Sequence, residues 1–534
     1  MLRDEVKKRL QAQSDKLVKG KTLADLPPLD SMLNLGKGAE LLVQKLLDGE
    51  RTLIVGDYDA DGILATTILY GFLADVGFNK TVLDFIIPSR MKDGYGLSPN
   101  IIHYAVENDF QVIVTVDNGI AANEAIALAK EKGLTIIVTD HHTAPAVLPD
   151  ADVIINPKQP GETFPFIDIS GATVAWYFAA KIKEVLGLKI DMRKYLDLAG
   201  LTVISDVMPL TDINLAIFNF TLNQLKQRSR FIYELIWDEN QAPCIDEVSV
   251  GFSLVPMINA IGRIDDANKG VNLFLSRDKG EIQSLFDEMK SINEERKKRT
   301  LIYKNNALEL LEDCSGDVII VRNKDYHEGI VGIIAGKLSE LYKRPAYVFS
   351  WNHEKGIWKG SGRSSGEIHL YELTNSATKH IAGFGGHKGA VGLAVKDEEF
   401  ENFEKALQKA IKKYKPEDFL DASTTPFDCS LEDINFELYD LVHSYGPFGE
   451  GNRLPQFRTK CKITPERELS GGLHFACSAT IGTVKMKAMA FHIKNRDEFL
   501  EKISAGEVEI LFDMNKSYYA KRDTYSLEIF FQLA

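Results

Sequence analysis

The chain has 534 residues, of which 45% are hydrophobic and 26% charged, a composition typical of soluble globular proteins. This length exceeds what one hydrophobic core supports, so several domains are expected. The net charge of −13 argues against a protein that coats nucleic acid generally, but it permits a nuclease, whose phosphate contacts need only a local basic groove.

The apolar segments are too short or too charged to cross a bilayer, and the longest of them, Thr173–Leu188, contains Lys181, Lys183 and Glu184. The first ten residues, MLRDEVKKRL, lack the apolar region of a secretory signal. The five cysteines are widely separated and form no CxxC pair, which predicts neither a disulfide framework nor a zinc site. We therefore expect a cytoplasmic protein that does not bind membranes.

Residues 1–50 are predicted to form a helical lead-in, because Lys37–Glu50 has apolar residues at helical spacing. Over residues 51–210 the pattern changes to short runs of Val and Ile, separated by helical stretches such as Ala121–Lys132. This alternation is typical of an α/β domain with a parallel sheet covered on both faces. The predicted strands are Thr52–Val55, Val82–Ile87, Val112–Val116, Thr135–Val138 and Val153–Ile155.

Residues 211–312 are predicted to be mainly helical and to end in one long, charged helix, Asp278–Leu311, that joins two domains. A second, smaller α/β domain is expected over residues 313–415, where the runs GSGRSSG (360–366) and GFGGHKGAVG (383–392) concentrate glycine. Residues 425–534 then alternate apolar and polar residues, with little helix apart from Arg496–Ser504. That alternation predicts a small antiparallel β-barrel.

Acidic residues follow three of the predicted strands. The first strand is followed by GDYDADG, the third by VDNG and the fourth by TDHH. Carboxyl ends of parallel strands meet at one edge of the sheet, where open α/β sheets bind their ligands. Asp206 follows the apolar segment Leu198–Ile204 and is expected to reach the same edge. The candidate residues are Asp57, Asp59, Asp61, Asp117, Asp140, His141, His142 and Asp206.

Each of these motifs, taken alone, is more often structural. DxDxDG resembles a calcium-binding loop, but Ile68 stands where an EF-hand has its glutamate. DNG is commonly a turn, a His-His pair is common on surfaces and in cores, and Asp206 could cap a helix. Their joint placement at successive strand ends instead favours two divalent cations, bridged by carboxylates, that cut phosphodiester bonds. Either Mn²⁺ or Mg²⁺ would suit, and the histidine favours manganese.

In chain order, DYDADG, DNG, DHH and the later SD resemble the motifs of the DHH phosphoesterase superfamily. Within it the chain is similar to the RecJ exonucleases, since it also contains IPSRMKDGYGL (87–97), INAIGRIDDA (258–267), HEGIVGIIAGKL (327–338), GPFGEGN (446–452) and the two glycine-rich runs. The resemblance covers nearly the whole chain from about residue 50 onward. It implies a DHH domain, a DHHA1 domain and a C-terminal OB-fold.

The resemblance also implies a role for each matching position. Metal ligands would be Asp59, Asp61, Asp117, His141 and Asp206, with Asp117 between the two ions. His142 would lie near the scissile phosphate, with Asp57 and Asp140 in supporting roles. Candidates for substrate phosphates are Arg90, Arg263, Ser361, Arg363, Gly386 and His387. A structural salt bridge is the alternative for Arg90 and Arg263, and tight packing is the alternative for the glycine-rich runs.

An OB-fold binds single strands through stacking aromatics and a basic groove. Residues of suitable type in the C-terminal region are Lys516, Tyr518, Tyr519, Lys521, Arg522 and Tyr525, although any barrel surface could show them. The run Arg296–Arg299 could contact phosphates, but the solvated face of a long helix is the more common explanation.

The implied activity is metal-dependent degradation of single-stranded DNA in the 5′→3′ direction to 5′-mononucleotides, acting in DNA repair and recombination. The polarity follows from the resemblance alone. A single-strand-binding protein and a helicase are candidate partners, and a monomer is expected. One alternative is a hydrolase of short oligoribonucleotides, cyclic dinucleotides or pyrophosphate, which would need neither the OB-like domain nor the long helix. The other is a non-catalytic replication scaffold, which would not need intact metal motifs.

Overall fold

A computed structural model describes residues 2–16, 22–90, 94, 96–311, 316–419, 425–469, 474–491, 493, 495–519 and 524–533. Three sheets organise the chain, in the order that the sequence predicts. No helix in these ranges is both long and apolar enough to span a membrane.

The first sheet is wholly parallel, and its strands lie in the order β2-β1-β3-β4-β5. Its strands are β1 (Thr52–Val55), β2 (Leu83–Ile86), β3 (Val112–Val116), β4 (Thr135–Thr139) and β5 (Val153–Ile155). Every residue of β1, β3 and β5 is buried, as expected for a sheet covered on both faces. The chain crosses from one side of β1 to the other between β2 and β3, and such a switch point is where this kind of sheet binds ligands.

Helices cover both faces of this sheet. They are α2 (Leu35–Leu47), α3 (Ala60–Asp75), α4 (Pro99–Glu107), α5 (Asn123–Glu131), α6 (Gly171–Val185) and α7 (Arg193–Ser205), following α1 (Leu2–Lys16) at the start of the chain. Helix α3 is apolar on nearly all sides and packs between the sheet, α6 and α7, so it is the central helix of the domain.

A helical region follows. It consists of α8 (Asp212–Lys226), α9 (Phe231–Ile236), the short α10 (Glu247–Ser249), a π-helical turn (Val250–Leu254), α11 (Val255–Ile264), α12 (Asn268–Leu275) and α13 (Lys279–Glu309). Helix α13 has 31 residues, which makes it about 46 Å long. It packs against α9, α11 and α12 at one end and against α14 of the next domain at the other, so it connects the two domains as predicted.

The second sheet is mixed, in the order β6-β7-β8-β10-β9, with only β6 and β7 parallel. Its strands are β6 (Ile319–Asn323), β7 (Ala346–Asn352), β8 (Ile357–Arg363), β9 (Gly383–Gly386) and β10 (Ala390–Lys396). The accompanying helices are α14 (Glu328–Tyr342), α15 (Leu370–Asn375) and α16 (Phe400–Ala410). The α/β character expected for this domain is confirmed.

The third sheet closes into a five-stranded barrel, because β12 pairs with both β13 and β15. Its members are β11 (Phe427–Asp428), β12 (Phe457–Leu469), β13 (His474–Ile481), β14 (Val484–Ala490), β15 (Glu507–Tyr519) and β16 (Thr524–Leu533), with helices α17 (Phe436–His443) and α18 (Arg496–Ser504). The sequence predicts an antiparallel barrel, but β14 and β16 pair in parallel, so the prediction is wrong for this one pair. Closure removes the exposed edges that an open sheet would present.

The two helices of residues 1–50 contribute to different cores. Val6 and Leu10 of α1 are buried in the core of the barrel, where the guanidinium carbon of Arg9 lies 3.4 Å from the ring centre of Phe427. Helix α2 packs instead on α6 and β5 of the first domain. Sequence spacing predicts that both segments are helical but carries no information on which domain each one joins.

Candidate metal centre

The loop after β1 places three carboxylates at the switch point of the first sheet. Asp59 caps α3, since its Oδ1 accepts hydrogen bonds from the backbone N–H groups of Asp61 (2.9 Å) and Gly62 (3.2 Å). The cap holds Asp61 in the first turn of α3, where the positive end of the helix dipole favours an anion. Asp57 lies before the cap and is fully buried.

A second helix holds the carboxylate of Asp61. The N–H groups of Gly171 and Ala172, at the start of α6, donate to its Oδ2 and Oδ1 at 2.6 and 2.8 Å. Sequence reasoning missed this contact. The Ser-Gly pair before an apolar helix signals a helix start, and Ser170 does cap α6, but nothing in the sequence indicates that this start faces Asp61.

The residue after β3 has an uncommon backbone. Asp117 has φ 62°, in the left-handed region that asparagine and aspartate adopt more readily than other side chains. A Cβ added to Gly171 would lie 2.5 Å from Asp117 Oδ1, so only glycine fits opposite this carboxylate. The amide of Asn118 donates to the carbonyls of Val55 and Val116 at 3.0 and 2.9 Å and ties the ends of β1 and β3 together.

The loop after β4 brings in a histidine. His141 Nε2 lies 3.1 Å from Asp117 Oδ1, 3.6 Å from Asp61 Oδ2 and 3.5 Å from Asp206 Oδ2. Asp206 reaches this point from the C-terminal end of α7. Burial lowers the pKa of His141 to about 3, and the nearby His142 adds to this effect. The imidazole is therefore neutral, which is the form that binds a metal ion.

Among the described residues, three groups of side chains each have ligand atoms within 4.8 Å of one another, and each group could hold a metal ion. They are Asp57–Asp59–Asp117, Asp61–His141–Asp206 and Asp117–His141–His142. Asp117 and His141 each belong to two groups. Shared ligands are what two closely spaced cations require, because a bridging carboxylate offsets their repulsion.

The electrostatics of the cluster favour divalent cations. Burial, together with neighbouring carboxylates, raises the pKa of Asp61 to about 7 and that of Asp206 to about 8. Burial and like charges also raise the pKa values of Asp57 and Asp117. Within the described residues, Asp57 Oδ1 and His141 Nε2 are buried and have no hydrogen-bond partner. Such atoms are costly unless a ligand satisfies them, and oxygen donors with one imidazole suit Mn²⁺ or Mg²⁺.

His142 and Asp140 form a separate pair beside the cluster. His142 Nδ1 lies 2.8 Å from Asp140 Oδ1, and the N–H of Ile120 donates to Asp140 Oδ2 at 2.9 Å. Despite burial, these contacts lower the pKa of Asp140 to about 2. The same carboxylate raises the pKa of His142 to about 9 against the opposing effect of burial. His142 is therefore protonated at neutral pH, and its half-exposed ring carries a positive charge at the mouth of the site.

Three arginines from different parts of the chain lie close together at the edge of the cluster. Arg90 stacks over Tyr58 with its guanidinium carbon 4.9 Å from the ring centre, and Arg263 donates to the carbonyl of Gly329 at 3.2 Å. Burial, together with the positive charges of Arg90 and Arg363, lowers the pKa of Arg263 to about 9. The alternative role considered for Arg90 and Arg263 is a structural salt bridge. Within the described ranges neither arginine forms one. Cations held together in this way indicate an anion site.

The glycine-rich runs form β8 and the β9–β10 hairpin of the second sheet. Arg363 Nη1 donates to Ser361 Oγ at 2.9 Å, so the two predicted residues contact each other. Gly386 has φ 146°, and a Cβ there would lie 2.2 Å from the carbonyl oxygen of Ala390. Burial lowers the pKa of His387, and Arg363 and His142 lower it further, which places His387 between the two domains.

Asn259 was also missed by sequence reasoning. Its Oδ1 accepts a hydrogen bond from the backbone N–H of Ala60 at 2.9 Å, which positions the first acidic loop from α11. Gly262, one turn later, lies so close to Tyr58 that a Cβ would be 1.7 Å from its carbonyl oxygen. Both residues belong to the segment INAIGRIDDA, so the family resemblance could have identified them, whereas charge and spacing could not.

The other predicted nucleic-acid contacts are only partly described. Lys521, Arg522 and the side chains of Tyr518 and Tyr519 lie outside the described residues. Lys516 Nζ lies 5.0 Å from the ring centre of Tyr525, on the surface of the barrel. In the run 296–299, Lys297 and Arg299 form ion pairs at 2.8 Å with acidic residues of their own helix, as expected for a solvated helix face. Arg296 is partly buried, and its positive charge contributes to lowering the pKa of Arg263.

We expect the metal-free protein to lose thermal stability as the pH rises from about 4 to about 9. The folded-state pKa values of Asp61 (about 7) and Asp206 (about 8) lie above the ordinary value of 3.8, so the stability they contribute is lost as pH rises through these values. Deprotonation of His142, with a pKa of about 9, acts in the same direction. Thermal scans should show a melting temperature that falls by a few degrees, and a gain on adding Mn²⁺ that grows with pH.

The variant Asp206→Asn supplies the control, because it removes one of the repelling charges and should flatten the pH dependence. A melting temperature that is independent of pH in the metal-free wild type would contradict the electrostatic picture of the cluster.

Comparison with known families identifies three domains. Residues 51–202 match the DHH family N-terminal domain, residues 315–413 the DHHA1 domain, and residues 427–530 the RecJ OB domain.

Two similar proteins are both named single-stranded-DNA-specific exonuclease RecJ. That of Haemophilus influenzae is 30% identical over 518 residues, which cover 90% of this chain and 89% of that protein. That of Bacillus subtilis is 36% identical over 432 residues, which cover 79% of this chain. This chain spans about half (54%) of the length of the Bacillus protein.

Solved structures agree with these matches. The crystal structure of RecJ in complex with Mn²⁺ from Thermus thermophilus superposes with a TM-score of 0.77 at 26% identity, covering 94% of this chain and 72% of that one. The corresponding complex with Mg²⁺ gives a TM-score of 0.71 at 25% identity. The likeness therefore extends over all three sheets.

Proposed function

Because this chain belongs to the RecJ family of DHH phosphoesterases, we propose that it is a single-stranded-DNA-specific exonuclease that releases 5′-mononucleotides from the 5′ end. The observation that carries the proposal is the convergence of the acidic cluster with three arginines that face it from other segments. Metal-ligand candidates next to an anion site suit the terminal nucleotide of a strand. We propose that this activity serves DNA repair and recombination.

Asp59, Asp61, Asp117, His141 and Asp206 would hold two divalent cations, with Asp117 between them. When bound, such a pair supplies Lewis-acid activation of water and of the phosphodiester. Asp61 is held for this role by the Gly171 and Ala172 amides. Asp57 and Asp140 are proposed as supporting residues, Asp57 within reach of Asp59 and Asp117 and Asp140 as the group that holds the ring of His142.

His142 would act directly on the substrate. Its Nδ1 is held by Asp140, which fixes the orientation of the ring beside the cluster, and we propose that the ring contacts a phosphate oxygen of the substrate. Since its pKa is raised to about 9, the ring remains charged at neutral pH and can stabilise the negative charge that develops on the reacting phosphoryl group.

Arg90, Arg263 and Arg363 would bind the terminal 5′ phosphate. A guanidinium can donate two parallel hydrogen bonds to a phosphate, and a dianionic terminal phosphate offsets the mutual repulsion of the three cations better than an internal monoanionic one. This preference supports binding of a phosphorylated end, and the 5′→3′ direction rests on the family. Ser361, Gly386 and His387 lie around Arg363 and are proposed to contact the same end of the strand.

The other functions considered are less well supported. A hydrolase of dinucleotides or pyrophosphate would not need the long helix α13 or the matched OB domain. A non-catalytic scaffold would not need to keep each metal-ligand candidate within reach of its partners. We also propose that the protein acts on DNA in the cytoplasm and that it is a monomer. A helicase and a single-strand-binding protein would deliver its substrate.

The test uses purified protein with Mn²⁺ and single strands labelled at one end or the other. We expect mononucleotides to be released from 5′-labelled strands at once, whereas label at the 3′ end should appear only after the strand is consumed. Circular single strands and blunt duplexes should be resistant. Release from the 3′ end first, or cutting of circles, would overturn the proposal.

A further inference from the structure

A cavity of about 520 Å³ lies between helices α13 and α14 and the barrel. Helices α13 and α14 line one side, and α18 with the middle of β15 and the end of β16 lines the other. None of the metal-ligand candidates lines it. Its lining includes four lysines (Lys304, Lys337, Lys343 and Lys502), several phenylalanines, and the carboxyl groups of Glu340, Glu498 and Asp513, of which Glu498 pairs with Lys502 at 2.8 Å.

Lys304 of α13 lines this cavity with only 7% of its surface exposed. Within the described ranges no acidic side chain forms an ion pair with Lys304, although a buried lysine is normally paired; Glu340 of the same cavity acts on it only from a distance. Lys337 of α14 lines the same cavity, and burial together with this second positive charge lowers the pKa of Lys304. Two lysines in this arrangement provide an anion site.

Aromatic rings line the opposite wall. Phe491 and Phe530 pack edge to face with ring centres 5.1 Å apart, and Phe491 is 38% exposed. An exposed aromatic face next to lysines is the combination that binds nucleotides, because the ring stacks on a base while the ammonium groups contact phosphate.

A buried carboxyl group, that of Asp513 of β15, also lines the cavity. Its Oδ1 is buried and has no hydrogen-bond partner within the described residues, and burial raises its pKa to about 6. A carboxyl group in this position needs an N–H donor from a ligand, and it would repel an acidic peptide. The exocyclic amino or ring N–H groups of a nucleobase supply such donors.

We propose that this cavity binds a nucleotide, with its phosphate at Lys304 and Lys337, its base against Phe491 and an N–H group of the base at Asp513. The nucleotide is either an internal unit of the substrate strand, in which case the inference rests on the proposed function, or the free mononucleotide product. The site lies at the α18 side of the barrel, whereas Lys516 and Tyr525 lie towards the opposite end of the β15–β16 pairing.

The test measures binding by the full chain in EDTA, so it is independent of hydrolysis. The variants are Lys304→Met, which keeps the length of the side chain, and Phe491→Ala at an exposed position. Lys290→Met on the exposed face of α13 is the matched control. Fluorescence anisotropy follows a strand of about twenty nucleotides and one of about three, and calorimetry follows thymidine monophosphate.

If the strand occupies the cavity, both variants should bind the longer strand about tenfold more weakly and the short one normally. If the product occupies it, both should lose one bound equivalent of the mononucleotide and keep their affinity for the long strand. Either result supports the site. The proposal would be overturned if both variants bound all three probes with the affinity of the wild type. It would also be overturned if the variants lost affinity only for an acidic peptide such as oligoglutamate, because that result would indicate a protein partner. Absence of exonuclease activity in the wild type would leave these binding results unaffected and would count only against the proposed function.

Discussion

The variant Asp117→Asn is expected to lose Mn²⁺-dependent degradation of single strands by a factor on the order of 10³, while the metal-free protein melts at a higher temperature than the wild type. Asparagine has the same shape and tolerates the φ of 62° at this position, so the backbone should be retained. Stability should rise because the pKa of Asp117 is raised by burial and by neighbouring carboxylates, which means that its charge is unfavourable without metal.

The combination of the two readouts distinguishes a metal-bridging role from a merely structural one, which would lower stability and activity together. Asp150→Asn, at an exposed position of the same domain, should change neither quantity. Activity within about tenfold of the wild type in Asp117→Asn would remove Asp117 from the proposed position between the cations.

The variant Arg363→Lys is expected to lose the preference for 5′-phosphorylated ends. Lysine keeps the charge but cannot donate two parallel hydrogen bonds, so KM for a 5′-phosphorylated strand should rise about tenfold to a hundredfold with little change in kcat. Strands with a 5′-hydroxyl end should be degraded as by the wild type. Steady-state kinetics on the two matched strands measure the difference directly.

Arg344→Lys is the matched control, because Arg344 also donates to a backbone carbonyl of the second domain, that of Gly316 at 2.9 Å, yet is not among the cations that affect Arg263. It should leave both KM values unchanged. An equal loss on both kinds of strand in Arg363→Lys, with a lower melting temperature, would assign Arg363 to packing of the glycine-rich strands instead.

Much of the architecture could be predicted from the sequence for a local reason. The runs Thr52–Val55, Val112–Val116 and Val153–Ile155 are strands over those same residues, because a strand buried on both faces must be apolar at every position. Acidic loops directly after such strands must lie at one edge of a parallel sheet. The neighbourhood of Asp61, Asp117 and His141 therefore follows from chain order and strand direction.

Other features depend on contacts between segments that are distant in the chain. The amides of Gly171 and Ala172 hold Asp61 across 110 residues or more, and α1 joins the barrel formed more than 400 residues later. The cavity at Lys304 and Phe491 exists only because α13 and the barrel meet. The sequence by itself determined the helices, the strands and the chemistry at the strand ends, since these depend on neighbouring residues. Only the tertiary structure decided which amides, arginines and aromatic rings face that chemistry, because side-chain packing between distant segments leaves no periodic pattern in the sequence.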